Sequence, residues 1–164
     1  MDKFELISVN KTNIDYAFQV YKECEDFLSL GPESIASFDM VYKDLEYSKE
    51  SNGIFNLIIN EKGDVVGILD YIPNKNGKNG DYCYISLIMI KSQYRNMGYG
   101  KRIIKEIEEL VRREYGITQF RASVQLNNEK GIRFWKDQGY MICSEPELQP
   151  DTTVVVHMKK GVRV

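Results

Sequence analysis

The sequence predicts an α/β domain of the α+β type, with a mixed, mostly antiparallel sheet of about seven strands flanked by about four helices. Three observations carry this reading. β-rich runs and helical spacings follow one another in the order β-α-α-β-β-β-α-β-α-β-β. The run from Tyr82 to Ile90 is apolar almost throughout, as in a strand covered on both faces. Gly98 to Tyr115 carries one apolar stripe (Ile103, Ile104, Ile107, Leu110, Val111) against a charged remainder, the pattern of an amphipathic helix.

The elements follow in order. Phe4 to Val9 reads as a first strand. Asn10 to Asn13 precedes Ile14, Ala17, Phe18, Tyr21 and Cys24, which recur at helical spacing. Gly31-Pro32 breaks that pattern. A second helix is expected over Ser34 to Tyr47, with Ile35, Phe38, Val41, Tyr42 and Leu45 on one face. Ile54–Ile59 and Val65–Tyr71 flank Glu61-Lys62-Gly63-Asp64 as a hairpin. Asn76-Gly77 and Asn79-Gly80 mark a turn before the apolar strand. After the long helix, Phe120, Ala122, Val124 and Leu126 alternate as a strand. Asn128 to Gln138 is a short helix ended by Gly139. Tyr140–Cys143 and Thr152–Met158 are closing strands joined by a polar turn around Pro146 and Pro150.

Residues 1–164 are of a length for one domain. The net charge of −2 argues against sequence-independent nucleic-acid binding. Cys24, Cys83 and Cys143 are not at metal-ligand spacing, so no metal is expected, and they read as reduced thiols. No apolar run is long enough to span a bilayer, and Met1-Asp2-Lys3-Phe4-Glu5 has no apolar signal core. The expectation is a cytoplasmic protein without a membrane partner.

The most informative segment is Gln93-Tyr94-Arg95-Asn96-Met97-Gly98-Tyr99-Gly100, between the apolar strand and the long helix. Glycines there let backbone approach a ligand, and the helix's first N–H groups and dipole favour an anion such as pyrophosphate. A Walker-type loop would need glycine at Arg95 and Ser or Thr at Arg102; a dinucleotide fingerprint would need glycine at Ile103. What remains is Arg95-x-x-Gly98-x-Gly100.

That pattern resembles the coenzyme A signature of the GNAT acetyltransferase superfamily. A second segment, Asn128-Glu129-Lys130-Gly131-Ile132-Arg133-Phe134-Trp135-Lys136-Asp137-Gln138-Gly139-Tyr140, resembles the superfamily's Asn-x-x-(Ala/Gly)-x-x-(Leu/Phe)-(Tyr/Trp)-x-x-x-Gly-(Phe/Tyr) stretch. The resemblance implies a fold in which strands four and five splay apart, with acetyl-coenzyme A as cosubstrate. Backbone of Ile88, Met89 and Ile90 would bind the pantetheine arm like an added strand. Arg95 stands at the first motif position, and N–H groups of Asn96, Met97, Gly98, Tyr99, Gly100 and Lys101 would hold the pyrophosphate. Asn128 matches a residue that contacts the cofactor or orders the loop; it also suits a helix N-cap.

The implied chemistry is N-acetyl transfer to an amine by direct attack in a ternary complex. Trp135 stands where many members place a tyrosine acid, and an indole N–H is a donor without useful acidity, so Trp135 reads as a packing residue or a wall beside the cofactor's sulfur. The glutamate that histone-type members carry on strand four aligns with Tyr84; the one that ribosomal-protein-type members carry on strand five aligns with Ser123. Asp70, Asp81 and Tyr84 lie near the implied acceptor side, with Asp81 and Tyr84 taken as catalytic candidates. His157 is the only histidine, placed in the last strand where a packing or solvent-facing role is expected. Glu25 and Asp26 are candidates to attract a cationic amine. The acceptor is a small molecule, a peptide or a protein, and the superfamily's frequent dimers make a homodimer one expectation. Alternatives are a non-catalytic acyl-coenzyme A-binding regulatory module and, more remotely, a nucleotide-phosphate protein.

Overall fold

The computed structural model describes residues 3–73 and 81–161. Among these residues the chain forms β1 (Glu5–Ser8), α1 (Ile14–Glu23), α2 (Glu25–Leu28), α3 (Phe38–Glu50), β2 (Ile54–Ile59), β3 (Val65–Ile72), β4 (Cys83–Ile90), α4 (Tyr99–Tyr115), β5 (Gln119–Gln125), α5 (Glu129–Asp137), β6 (Met141–Ile142), β7 (Glu147–Leu148) and β8 (Val154–Gly161). A single 3-10 turn, Ser92–Tyr94, links β4 to the loop before α4. The strands form one sheet in the order β1-β2-β3-β4-β5-β8-β6, with β7 also on β8. Every pairing is antiparallel except β4 with β5.

Period-two alternation sends β2 side chains to opposite faces. Phe55, Leu57 and Ile59 meet α1 and α3 through Val20, Tyr21, Val41 and Leu45. Ile58 faces the other way, into a core shared with Ile103, Ile104, Ile107 and Val111 of α4. The α4 stripe expected from the sequence is therefore the buried face. In β5, Phe120, Ala122 and Val124 join the α4-side core, which runs on to Val156 and Met158 of β8. Among the described residues, the α1-side core contains none from β5 or β8.

Two expected elements shift. The second helix begins at Phe38, because Ser37 caps it by accepting a hydrogen bond from the Met40 N–H at 3.2 Å. Ile35 is left exposed ahead of the helix, and Ser48, beyond the expected end, faces inward instead. The polar turn around Pro146 contains a short strand, β7, and the strand expected over Tyr140–Cys143 keeps only Met141–Ile142 as β6. The turn expected at Asn76-Gly77 and Asn79-Gly80 lies outside the described residues. Cys24 and Cys83 are buried free thiols, whereas Cys143, near the sheet edge, is exposed. No helix among the described residues is long and apolar enough to cross a membrane.

Candidate active site

The site begins with a break in the sheet. The parallel pairing of β4 and β5 covers Cys83 with Phe120, Tyr84 with Arg121 and Ile85 with Ala122. Beyond that the strands share no rungs among the described residues, so the β4 edge from Ser86 to Ile90 opens onto a cleft. The opening coincides with an irregularity on the other side of β4. Asp70 pairs with Leu87 but Tyr71 pairs with Ile85, which leaves Ser86 as an extra residue in β4. Such a bulge bends its strand and sharpens the local twist, turning β4 away from β5.

The loop after β4 leads to the start of α4. Gly98 caps the helix with φ +81°, and Asn96 also lies in the left-handed region at φ +60°. Glycine, and to a lesser degree asparagine, adopts that conformation readily. The Arg102 N–H bonds to the Gly98 carbonyl at 3.1 Å; the amides of Tyr99, Gly100 and Lys101 precede the helix's own ladder and are directed out of its end. A Cβ on Gly98 would meet nothing within 4 Å, so the space in front of the turn is open. Gly100 has a different reason to be glycine. Its Cβ would press on the Phe134 ring at 3.1 Å, so it permits the close packing of α4 on α5.

Arg95 is not directed at the α4 terminus. Its Nε donates to the Ile90 carbonyl at 2.8 Å, and its guanidinium grips the Asp26 carboxylate with both terminal nitrogens, Nη2 at 3.1 Å. This pair holds the Asp26 carboxyl below the usual range, mainly through the hydrogen bond from Arg95. Glu25 accepts the Ala36 N–H at 3.3 Å. The two acids considered for attracting an amine are thus engaged in tying α2 to the loop after β4 and to the segment just ahead of α3. Ile88 and Ile90 pack toward the α4-side core and Met89 is buried toward α1. Asn128 is the N-cap of α5, accepting the Gly131 N–H at 2.9 Å. Trp135 is buried edge-on between Phe134 and Tyr140, with ring centroids at 5.3 and 4.7 Å, which is a packing position. Lys101 and Met97 are exposed beside the turn.

Asp81 does not belong to the cleft. It is exposed ahead of β4 and five positions from the bulge, roughly 16 Å along an extended chain. Tyr84 remains near the opening, half-buried and two positions before Ser86. Asp70 is the carboxylate at the bulge, buried with 2% exposure. Ser48 donates to its Oδ1 at 2.6 Å and Ser86 donates to its Oδ2. Asp44, across a cavity of about 150 Å³ lined also by Tyr47, Ser86 and Leu87, accepts from the Tyr21 hydroxyl at 2.6 Å. Desolvation pushes both carboxyls above their ordinary range, and the Asp70 charge adds to the rise at Asp44.

A carboxyl with a raised folded-state pKa makes the folded chain bind more protons than the unfolded chain, so stability falls as pH rises from about 4. Asp44→Asn keeps an acceptor for Tyr21 and removes one charge. It is expected to flatten the decline of Tm between about pH 4 and 7; a slope equal to that of the natural protein would refute the assignment.

On the far side of the opening, Ser123 follows Ala122, the last residue of β5 that pairs with β4. Its hydroxyl lies 2.8 Å from His157 Nδ1, and His157 Nε2 lies 2.9 Å from Glu147 Oε2. His157 is partly solvent-facing, one of the two placements expected, and is also part of a polar line; the hydrogen bond from it holds the exposed Glu147 carboxyl low. Sequence reading missed this because the partners come from three strands; the β5–β8 register sets Ser123 opposite His157, and the β7–β8 pairing brings Glu147 beside it.

The comparisons agree with this architecture. The family model described as "Acetyltransferase (GNAT) family" matches residues 15–140. GCN5-related N-acetyltransferase 4, chloroplastic, of Arabidopsis thaliana is 29% identical over 115 residues, covering 60% of this chain and 39% of that protein. The match spans about two fifths of the length of each curated relative. The crystal structure of an acetyltransferase from Thermus thermophilus superposes with a TM-score of 0.78 at 16% identity, over 98% of this chain and 97% of that one. The spermidine N-acetyltransferase of Vibrio cholerae, solved with CoA and spermine, gives 0.72 at 11% identity, over 96% and 95%. At such identities the two structures speak to the fold alone. With the split sheet, the glycine turn at the α4 start and a family match over most of its length, the chain belongs to the GNAT acetyltransferase family.

Proposed function

We propose that this protein transfers the acetyl group of acetyl-coenzyme A to a primary amine of a small molecule, peptide or protein, by direct attack in a ternary complex. The observation that carries the reading is the loss of β4–β5 pairing beside the α4 terminus, which leaves an unpaired strand edge leading to a cluster of outward-directed amides. The residues fit the two parts of the cosubstrate. The β4 edge at Ile88, Met89 and Ile90 suits an amide-bearing pantetheine arm, although the Ile90 carbonyl already takes Arg95. The turn from Asn96 to Lys101 suits the pyrophosphate.

In this reading the neutral amine attacks the thioester carbonyl, the N–C bond forms as the C–S bond breaks, and the thiolate departs. Holding both reactants at the opening supplies much of the acceleration, and a β4 amide at the bulge would bond the developing oxyanion. Asp44 and Asp70 line the α1 side of the cleft, and in their ionised forms they would favour a cationic acceptor. Spermidine, the amine for which the Vibrio cholerae neighbour is named, is a reasonable first probe. A second reading, a non-catalytic acyl-coenzyme A-binding module, draws support from the buried packing position of Trp135.

Isothermal titration with acetyl-coenzyme A, on the natural protein and on Gly98→Glu, tests the reading. The variant places a carboxylate before the anion site, on a residue with φ +81°. Binding by the natural protein and its loss in a still-folded variant is the expected result. No binding by the folded natural protein overturns the assignment, and binding without turnover across an amine panel favours the module.

A further inference from the structure

We infer that Ser123 is the proton acceptor for the attacking amine, and that it passes its own proton to His157, which Glu147 holds in position. The inference rests on the acetyl-transfer reading above and deepens it at the same cleft. Three observations support it.

The first is position. Ile85 and Ala122 form the last rung between β4 and β5, so Ser86 and Ser123 are the residues at which the two strands part. Both flank the apex of the cleft. The second is face. Phe120, Ala122 and Val124 point into the α4-side core, so Ser123 points to the opposite face, as do Arg121 and Gln125. The α1-side core stops at β4, so on that face of β5 and β8 Ser123 and His157 are left half-buried rather than packed under it. Gln125, two positions on, has a buried Oε1 with no hydrogen-bond partner among the described residues, an acceptor waiting for a donor on the same face. A hollow of about 410 Å³ bounded by Leu30, Leu126, Asn127 and Thr153 lies just beyond it, large enough for an amine-bearing chain.

The third is polarity along the line of hydrogen bonds. An ionised Glu147 only accepts, so His157 Nε2 carries the proton that faces it. That leaves Nδ1 as the acceptor, and Ser123 Oγ donates to it at 2.8 Å. The serine oxygen then has its lone pairs free for an amine N–H. As the amine nitrogen bonds to the acetyl carbon and the C–S bond breaks, the surplus proton moves from nitrogen to Ser123 Oγ. The serine's own proton moves to His157 Nδ1, the resulting imidazolium is balanced by Glu147, and the coenzyme A thiolate takes a proton from water. His157 returns its proton to solvent after product leaves. Serine without a partner would be a poor base; the imidazole makes the transfer possible. The serine in this scheme is never acylated.

His157 is the sole histidine, so its ring nitrogens are read without assignment ambiguity by ¹⁵N NMR. The neutral ring is expected to carry its proton on Nε2, and the Nδ1 signal is expected to move in Ser123→Ala. A proton on Nδ1 overturns the relay. Kinetics with acetyl-coenzyme A and spermidine supply the second readout. Ser123→Ala and His157→Gln are expected to lower kcat by roughly 100-fold or more, with the acetyl-coenzyme A KM unchanged. Added imidazole is expected to restore part of kcat in His157→Ala but none in Ser123→Ala. Unchanged kcat in folded variants overturns the relay, as does an acetyl ester trapped on Ser123. Natural protein that binds no acetyl-coenzyme A instead overturns the acetyl-transfer reading itself, so the two failures are distinct.

Discussion

Gly67→Ala is expected to cost about 2–3 kcal/mol of stability, or roughly 5–10 °C in Tm, and to weaken acetyl-coenzyme A binding with it. Gly67 sits in β3 opposite Ile90 of β4. A methyl group there would stand well under 3.0 Å from the Met89 carbonyl oxygen and 3.0 Å from Ile90 Cδ1. The carbonyl is backbone in a paired strand and cannot swing aside as a flexible side chain would. Either β3 and β4 separate, losing ladder hydrogen bonds, or the pair distorts. Met89 and Ile90 are also the β4 residues proposed to meet the pantetheine arm, so the distortion reaches the cleft. Thermal melts and titration on the same sample check both parts, and a Tm within error of the natural protein would falsify the steric account.

Lys160→Met is expected to be comparably harmful, by about 2–3 kcal/mol, for an electrostatic reason. Glu108, on the buried side of α4 with 6% exposure, accepts from the Tyr140 hydroxyl at 2.9 Å and from Lys160 Nζ at 2.8 Å. Tyr140 is itself buried, and desolvation together with the Glu108 charge pushes its phenol far up, so it stays a neutral donor. Removing the lysine leaves a buried carboxylate with one neutral partner. The double variant Glu108→Leu, Lys160→Met removes both charges and is expected to recover much of the loss, because an apolar replacement of a buried pair is often close to neutral. Denaturant unfolding of the single and double variants measures the coupling; simple additivity would show that the contact carries no coupling energy.

The sequence made the α4 stripe and β5 alternation legible because each is a local periodicity. Gly98 was legible as well, since a left-handed turn before a helix leaves a glycine in plain view. Gly100 was misread in part: its reason is the Phe134 ring, a contact between helices that no local pattern displays. Asp81 and Asp70 are both acids near strand ends, yet one is exposed and the other lies at the bulge. The distinction depends on a register shift between β3 and β4, which sequence does not print. Arg95 was legible as the first position of the coenzyme A motif, but its ion pair with Asp26 depends on where α2 lands, a matter of tertiary packing. The line from Ser123 to Glu147 is the extreme case, because its bond from Ser123 to His157 joins residues 34 positions apart and its bond to Glu147 depends on a two-residue strand inside a polar turn.

The break between β4 and β5 has a mechanical side. Only three rungs among the described residues fasten the half of the molecule built from β1–β4 to the half built from β5–β8. Beneath them, the core on the α4 side continues without interruption from Leu69 to Met158, while the core on the α1 side ends at the join. The molecule is therefore stitched along its floor and unstitched along its roof. Any yielding at the seam spreads the roof, the side proposed above to receive the acceptor, and leaves the floor as the hinge. A molecule lying in the gap and bonding both lips supplies the missing stitches, so occupancy and the integrity of the fold rise together.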